Sequence, residues 1–380
     1  MWAAAGLMVG AAVLLYSLVG YPLLLAVWKR RAAPLRKDMA FRATVTTVLA
    51  VHDGEQFIRA KLESLLALRY PAELLDILVV SDGSTDGTDA IVEGFANRGV
   101  RLLRVPRGGK AAALNAGLER ASGEILFLTD VRQPLHPDAL AHLVANFADP
   151  SVGVVTGELR FPGNDSTGEQ RDLGLYWRYE LWARRRHSEI DSTFVATGCI
   201  YAIRRDLAAP LPADTLADDA VMPLRAFFRG RRVIFDPAAI AFDYPSAEGV
   251  EFRRRLRTLA GLWQVCIRMP ELFTRANRMR LHFLSHKFSR LTLPWAVLLV
   301  VAATLALRAS PLRTSLLIAE AAVAAMALVD AVLPKGFPLK RATSPARTFL
   351  LMNAAALLST RVFFVQPATL WRTTRVKVLS

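Results

Sequence analysis

Cysteine is nearly absent from this 380-residue chain, with Cys199 and Cys266 the only two. They support neither a disulfide framework nor a zinc site, so reduced thiols in a reducing compartment are the expectation. Charge is missing altogether from Trp2 to Trp28. That apolar run is long enough to cross a hydrocarbon core of about 30 Å. It lacks the charged n-region and A-x-A cleavage site of a secretory signal and exceeds a signal's apolar length, which argues against a cleaved leader. Internal repeats and low-complexity linkers are also lacking. No G-x-G-x-x-G follows the first expected strand, where His52-Asp53-Gly54-Glu55 stands instead. A Rossmann oxidoreductase is thereby excluded.

What is present is 53% hydrophobic residues beside 21% charged ones, with a mean hydropathy of +0.29. The first figure is high for a soluble enzyme and the second too high for a pure membrane bundle, so a cytosolic domain with membrane segments is expected. The net charge of +15 suits an anionic membrane face, a phosphorylated substrate or nucleic acid. DNA binding explains the charge but not the membrane segments, so no nucleic-acid partner is expected.

Lys29, Arg30, Arg31, Arg36 and Lys37 follow the first apolar run, placing what comes next on the cytoplasmic side. Near the other end, Leu291–Leu307 and Leu312–Leu333 read as a transmembrane hairpin turning at Pro311, with Glu320 and Asp330 weakening its second arm. Lys335, Lys340, Arg341 and Arg347 mark a return to the cytoplasm. Phe349–Val365, interrupted by Arg361, is a third membrane segment, spanning or re-entrant. If it spans, Arg372, Arg375 and Lys377 land outside, against the positive-inside rule. A multi-pass protein of the inner cell membrane with a cytoplasmic catalytic domain is the expectation.

Between these ends the pattern is α/β. Strands are expected at Ala43–Val51, Ile77–Val80, Val100–Val105, Glu124–Leu128 and Val152–Leu159, with helical patterns between the first four. Such alternation predicts a doubly wound, mostly parallel sheet with ligands at the strand C-termini. The stretch Leu78–Thr88 organises the rest: an apolar strand stops at Ser81-Asp82-Gly83-Ser84, with Asp86 and Thr88 behind. A carboxylate there suits a nucleotide or sugar hydroxyl, while an ordinary capped strand-to-helix turn is the plain alternative. Asp53 and Glu55, Asp82, Lys110 and Asp130 all fall at strand ends. Lys110 alone reads equally as a solvated helix-start lysine.

Val51–Glu55, Val80–Thr88, Gly109-Lys110 with Leu114-Asn115, and Asp130 followed by Pro137-Asp138-Ala139-Leu140 together carry a resemblance. From about Ala43 to Gly261 the chain resembles the family 2 glycosyltransferases of GT-A fold, the membrane-attached kind that includes cellulose, hyaluronan and exopolysaccharide synthases. The resemblance implies that Asp53, Glu55 and Asp82 hold the base and ribose of a UDP- or GDP-sugar, with Lys110 near the same nucleotide. It makes Asp130 the carboxylate for Mg²⁺ or Mn²⁺. The family's Asp-x-Asp is here Asp130-Val131-Arg132, so one acidic ligand is replaced by a cation. Asp130, diphosphate oxygens and water still suffice for Mg²⁺. Arg132 either supplies part of the missing charge neutralisation or points to solvent.

Thr197-Gly198-Cys199, before Ile200-Tyr201-Ala202, resembles the small-residue strand that borders the acceptor, with Cys199 a buried apolar residue rather than a nucleophile. Ala217-Asp218-Asp219 matches the family's Thr-Glu-Asp, which makes Asp219 the general base of an inverting displacement. Asp218 would be an acidic neighbour raising its pKa. The pair also suits a helix N-cap. Arg257 and Gly261 align with the family's Gln-x-x-Arg-Trp and its following Gly, placing Arg254 at the Gln and Thr258 at the Trp. Arg254 and Arg257 are then expected on the donor's diphosphate and Trp263 on the acceptor side. The lost Trp argues against processive polymerisation. The aromatic and basic helix Asp172–Arg186 suits a headgroup layer or lipid-linked acceptor, or equally a core-packing stripe.

The expected order is a transmembrane helix (1–28), a basic linker (29–42), a cytosolic GT-A domain (43–245), interfacial helices (246–290), the hairpin (291–333), a basic loop (334–347), the third membrane segment (348–366) and a basic tail (367–380). A nucleotide-sugar donor, a carbohydrate or lipid-linked acceptor, and export or assembly subunits are the expected partners. The competing class is a non-catalytic nucleotide-sensing membrane partner of a polysaccharide synthesis complex. The altered metal triplet favours it; Asp219 and Arg257 oppose it.

Overall fold

The structure, a computed structural model, describes residues 1–29, 34–161, 168–243, 248–334 and 336–366, the side chains of 168–175 and 248–251 excepted. Arg30, Arg31, Lys335, the tail 367–380 and the side chain of Asp172 therefore lie outside the described residues. The chain forms two compact units. One comprises Lys29–Pro162 and His187–Pro245, the other Met1–Trp28, Gly163–Arg186 and Ser246–Ser380. The segment 163–186, expected within a continuous catalytic domain, is thus part of the second unit. Residues of the expected basic linker belong to the first, where Lys37 pairs with Asp236 at 2.7 Å.

The first unit is built on β1 (Val45–Val51), β2 (Leu75–Asp82), β3 (Val100–Val105), β4 (Ile125–Leu128), β5 (Val152–Arg160), β6 (Tyr201–Arg204) and β7 (Arg232–Phe242). They form one sheet in the order β3-β2-β1-β4-β6-β5-β7. Pairing is parallel among β3, β2, β1 and β4 and between β5 and β7; only β6 runs antiparallel to its neighbours. Val48, Leu49, Val79, Val80, Leu126 and Phe127 are fully buried. Strands apolar on both faces need cover on both faces, as a doubly wound sheet supplies.

This topology positions the site. Val51 pairs with Ser81 and Val48 with Leu128, so β1, β2 and β4 end along one edge of the sheet. Because β6 is antiparallel, its first residue, Tyr201, pairs with the last residue of β4, Leu128. Gly198 and Cys199, just before β6, therefore arrive at the same edge as Asp130, just after β4.

In the second unit, Trp2–Val27, Arg280–Ala306 and Pro311–Val332 are long and apolar enough to cross a membrane. The first two run antiparallel: Tyr16 Oη lies 2.7 Å from Ser285 Oγ, and Tyr21 Oη 3.1 Å from His282 Nδ1. Further along, a Cβ on Gly10 would stand 2.7 Å from Val300 Cγ2, so the close approach requires glycine. Small residues serve this purpose where apolar helices meet without a hydrophobic driving force. The two acids of the hairpin are hydrogen-bonded. Thr304 Oγ1 donates to Glu320 at 2.8 Å, and Thr343 and Ser344 donate to Asp330 at 2.7 Å each. Their cost within an apolar helix is reduced accordingly. The expected third membrane segment begins inside the helix Lys340–Ser359, which is not among the three long apolar helices.

Candidate active site

The loops after β1 and β2 are stitched together by their carboxylates. Asp53 adopts a left-handed φ of 48°, which aspartate tolerates better than most residues. Its Oδ1 accepts from the Thr85 amide at 2.9 Å, and Glu55 Oε2 accepts from the Gly87 amide at 3.0 Å. The Glu55 amide in turn donates to Asp86 Oδ2 at 3.1 Å. Both Asp53 and Glu55 remain exposed at the sheet edge while holding the Asp82–Thr88 turn.

Asp82 is buried at the end of β2. Its carboxylate accepts from the amides of Gly108 at 2.7 Å and Gly109 at 3.0 Å, and it pairs with Arg107. It thereby fixes the loop that launches the helix Lys110–Arg120. Gly109 has φ 89°, a conformation costly for a side chain with Cβ.

Lys110, the first residue of that helix, is the centre of the site. Its Nζ lies 3.0 Å from Asp130 Oδ1 and 3.1 Å from Asp218 Oδ1. Burial opposes its charge, but Asp130, Asp218 and Asp219 outweigh burial and hold the ammonium above its ordinary pKa. Asp218 and Asp219 occupy the first turn of the helix Asp218–Phe228. There the macrodipole favours negative charge. The capping position itself belongs to Ala217, without a side-chain cap. Asp218 is buried and Asp219 half-buried. Gly198 packs on the latter: a Cβ there would stand 3.2 Å from Asp219 Oδ2. Cys199 is buried, and its carbonyl accepts from Thr129 Oγ1 at 2.6 Å.

Two further residues shape this edge and were not anticipated. Tyr201 is buried beneath the carboxylates; burial, then Asp218, Asp219 and Asp130, keep its phenol protonated well above the usual range. Lys61 is buried under the β4 end, donating to Thr129 Oγ1 and to the Gln133 carbonyl at 2.6 Å each. Its spacing from Ile58 and Leu65, on the apolar face of Glu55–Leu66, was the available signal.

Arg132 pairs with Asp243, which also accepts from Gln133 Nε2 at 2.9 Å. Its guanidinium thus ties the loop after β4 to the end of β7. Arg254, Arg257 and Trp263 lie on the helix Glu248–Arg268 of the other unit. There Trp263 packs edge-on to Phe363 and Phe288, at centroid distances of 5.4 and 6.3 Å.

Among the described residues, no cluster of three or more acidic, histidine or cysteine side chains forms a ready-made metal cage. Asp130 sits partly exposed at the strand end. It fits the mode in which one carboxylate and a ligand's phosphate oxygens share a hard cation.

The mostly parallel sheet with carboxylates gathered at its strand ends is of GT-A type. Residues 46–210 match the family model described as Glycosyl transferase family 2. A probable glycosyltransferase of Bacillus subtilis, YdaM, is 26% identical over 268 residues, covering 67% of this chain and 64% of the relative. A poly-β-1,6-N-acetyl-D-glucosamine synthase of Staphylococcus aureus is 24% identical over 231 residues, covering 59% and 56%. The matches thus span less than two thirds of either relative. Among solved structures, the mannosyltransferase PcManGT of Pyrobaculum calidifontis, in complex with GDP-Man and Mn²⁺, superposes with a TM-score of 0.77. It is 25% identical, with 96% of this chain and 99% of that one covered. The family 2 resemblance thus rests on residues 46–210, and the fold is that of the GT-A glycosyltransferases.

Proposed function

We propose that the protein is a membrane-bound inverting glycosyltransferase that moves a sugar from a UDP- or GDP-sugar onto a polysaccharide or lipid-linked acceptor. The observation that carries the reading is the convergence of Asp130, Asp218 and Asp219 on the single ammonium of Lys110. The GDP-Man and Mn²⁺ of the related mannosyltransferase support a nucleoside-diphosphate donor and a divalent ion. The related poly-β-1,6-N-acetyl-D-glucosamine synthase supports a carbohydrate acceptor.

An acceptor hydroxyl is a poor nucleophile, so a carboxylate within reach must take its proton as it attacks. Asp219 fills that role. The acceptor oxygen bonds to the anomeric carbon while the bond to the diphosphate oxygen breaks, inverting the configuration. Asp130 would hold Mg²⁺ or Mn²⁺ together with the donor diphosphate, and the ion supplies charge neutralisation to the leaving group when bound. Lys110 keeps Asp218 and Asp130 paired so that neither repels the donor. Asp53, Glu55 and Asp82 shape the loops that receive the base and ribose. The long apolar helices and flanking Lys29 and Lys37 favour the inner cell membrane with the site on its cytoplasmic face.

Screening the purified full-length protein against nucleotide-sugars with Mg²⁺ or Mn²⁺ tests the proposal. Release of a nucleoside diphosphate that depends on an added acceptor is the expected result. Donor binding without release under any acceptor would favour the nucleotide-sensing alternative.

A further inference from the structure

Lys61 carries a buried amino group that no step above employs. On the helix Glu55–Leu66 it belongs to the buried face with Ile58, Leu62 and Leu65, and it is only 1% exposed. Among the described residues, its hydrogen bonds run to two neutral oxygens, the Thr129 hydroxyl and the Gln133 carbonyl, and to no carboxylate. Taking a lysine headgroup out of water for so little compensation is costly, and a leucine would fill the same face without that cost. Packing alone does not explain the residue. What its two bonds hold does.

Thr129 and Gln133 bracket the turn 130–132, so one side chain grips both ends of the loop that carries Asp130. Just beyond Gln133, the His136 amide donates to the Ile240 carbonyl at 3.0 Å and ties the loop to β7. On the other side a relay continues. An amine has two N–H groups and an ammonium three, so Lys61 can donate both bonds in either protonation state. Thr129 Oγ1, accepting from Lys61, gives its own proton to the Cys199 carbonyl at 2.6 Å. Cys199 closes the segment 196–199, which is docked on Asp219 twice. The Ala196 amide donates to the Asp219 carbonyl at 2.8 Å, and Gly198 stands against the Asp219 carboxylate. All of these residues lie in the first unit.

We propose that Lys61 is a positioning residue: from beneath the sheet edge it clamps the Asp130 loop and, through Thr129, the segment beside Asp219, touching neither donor nor acceptor. The carboxylate for the divalent ion and the carboxylate for the acceptor's proton then keep one fixed separation, which an in-line displacement requires. A core filler would need no polar atom at this place, and a surface lysine could not reach both oxygens. The part that Lys61 plays in transfer rests on the glycosyltransferase reading; the clamp itself does not.

Amide hydrogen exchange and steady-state kinetics on the full-length protein test the proposal, with Lys61→Met, Thr129→Val and Thr129→Ser as variants. In Lys61→Met the Ala196 and His136 amides should exchange about tenfold faster, while Val79 and Leu102 in β2 and β3 stay as in the wild type. Thr129→Val cuts only the arm toward Asp219, so kcat should fall about tenfold with the donor KM retained. Lys61→Met also frees Gln133 and should raise the donor KM as well. Thr129→Ser keeps the hydroxyl and loses the methyl, and it should recover kcat; a packing role for Thr129 would reverse that order. Unchanged exchange, wild-type kcat in folded Lys61→Met, or Thr129→Ser no better than Thr129→Val would overturn the proposal. If Lys61→Met does not fold, the two Thr129 variants decide. Exchange needs no substrate, so the two readings fail separately. A wild type that turns over no nucleotide-sugar, beside faster exchange in Lys61→Met, removes the transfer reading and leaves the clamp.

Discussion

Lys110 holds Asp218 by an ion pair of 3.1 Å while holding Asp130 at 3.0 Å, so one ammonium spans carboxylates from two separate segments. Lys110→Met should leave Asp218 buried without its cation, which costs more than losing a surface pair. We expect destabilisation of about 2–3 kcal/mol and weakened donor binding, with Lys110→Arg recovering part of both. Thermal unfolding and donor calorimetry on the three proteins check this.

Gly198 lies against the proposed base. A methyl group there would stand 3.2 Å from Asp219 Oδ2, so the carboxylate must shift by a few tenths of an ångström. Gly198 is not among the left-handed glycines, so Gly198→Ala should fold normally. Misplacing a catalytic group slightly is costly, and a loss in kcat of about tenfold is expected with donor affinity retained. Steady-state kinetics beside a donor titration separate the two effects.

Lys61 makes stability depend on pH. Burial pushes its pKa from the ordinary 10.5 down to about 7, while Cys199 and Asp130 pull the other way. In the unfolded chain the amine titrates normally. From about pH 7 to 10.5 the unfolded state therefore binds the proton and the folded state does not, so stability rises with pH across that window. Below it, both states are protonated and the contribution is constant. Melting temperatures at about pH 7.5 and about pH 9.5 should show the wild type gaining on Lys61→Met. Parallel shifts of the two proteins would contradict the assignment.

The sheet was legible where apolar runs coincide with pairing. Val100–Val105 is expected and observed with the same ends. For β2 the apolar run Ile77–Val80 underestimates the strand, because Leu75, Asp76, Ser81 and Asp82 also join the ladders. β7 escaped notice because Pro237 interrupts it. In the structure its register with β5 jumps there, from Thr156↔Phe235 to Glu158↔Ile240, so the missing proline N–H falls at an irregularity.

The strand-end carboxylates were legible through motif spacing, but their partners were not. Nothing local couples Lys110 to Asp218, or Arg132 to Asp243; the sheet order brings them together. The ion pairs of the buried Glu180 are hidden for the same reason, since Lys287 and Arg290 reach it from a distant helix. Cations scattered in a basic chain look like a solvated surface until packing buries them.

The central claim is that Asp219 takes the acceptor's proton. Its most direct measurement compares sugar transfer and donor binding in the wild type and Asp219→Asn, with a nucleotide-sugar that the wild type turns over. The account predicts transfer lowered by about 10²- to 10⁴-fold with the donor dissociation constant unchanged. Full turnover by Asp219→Asn would contradict it.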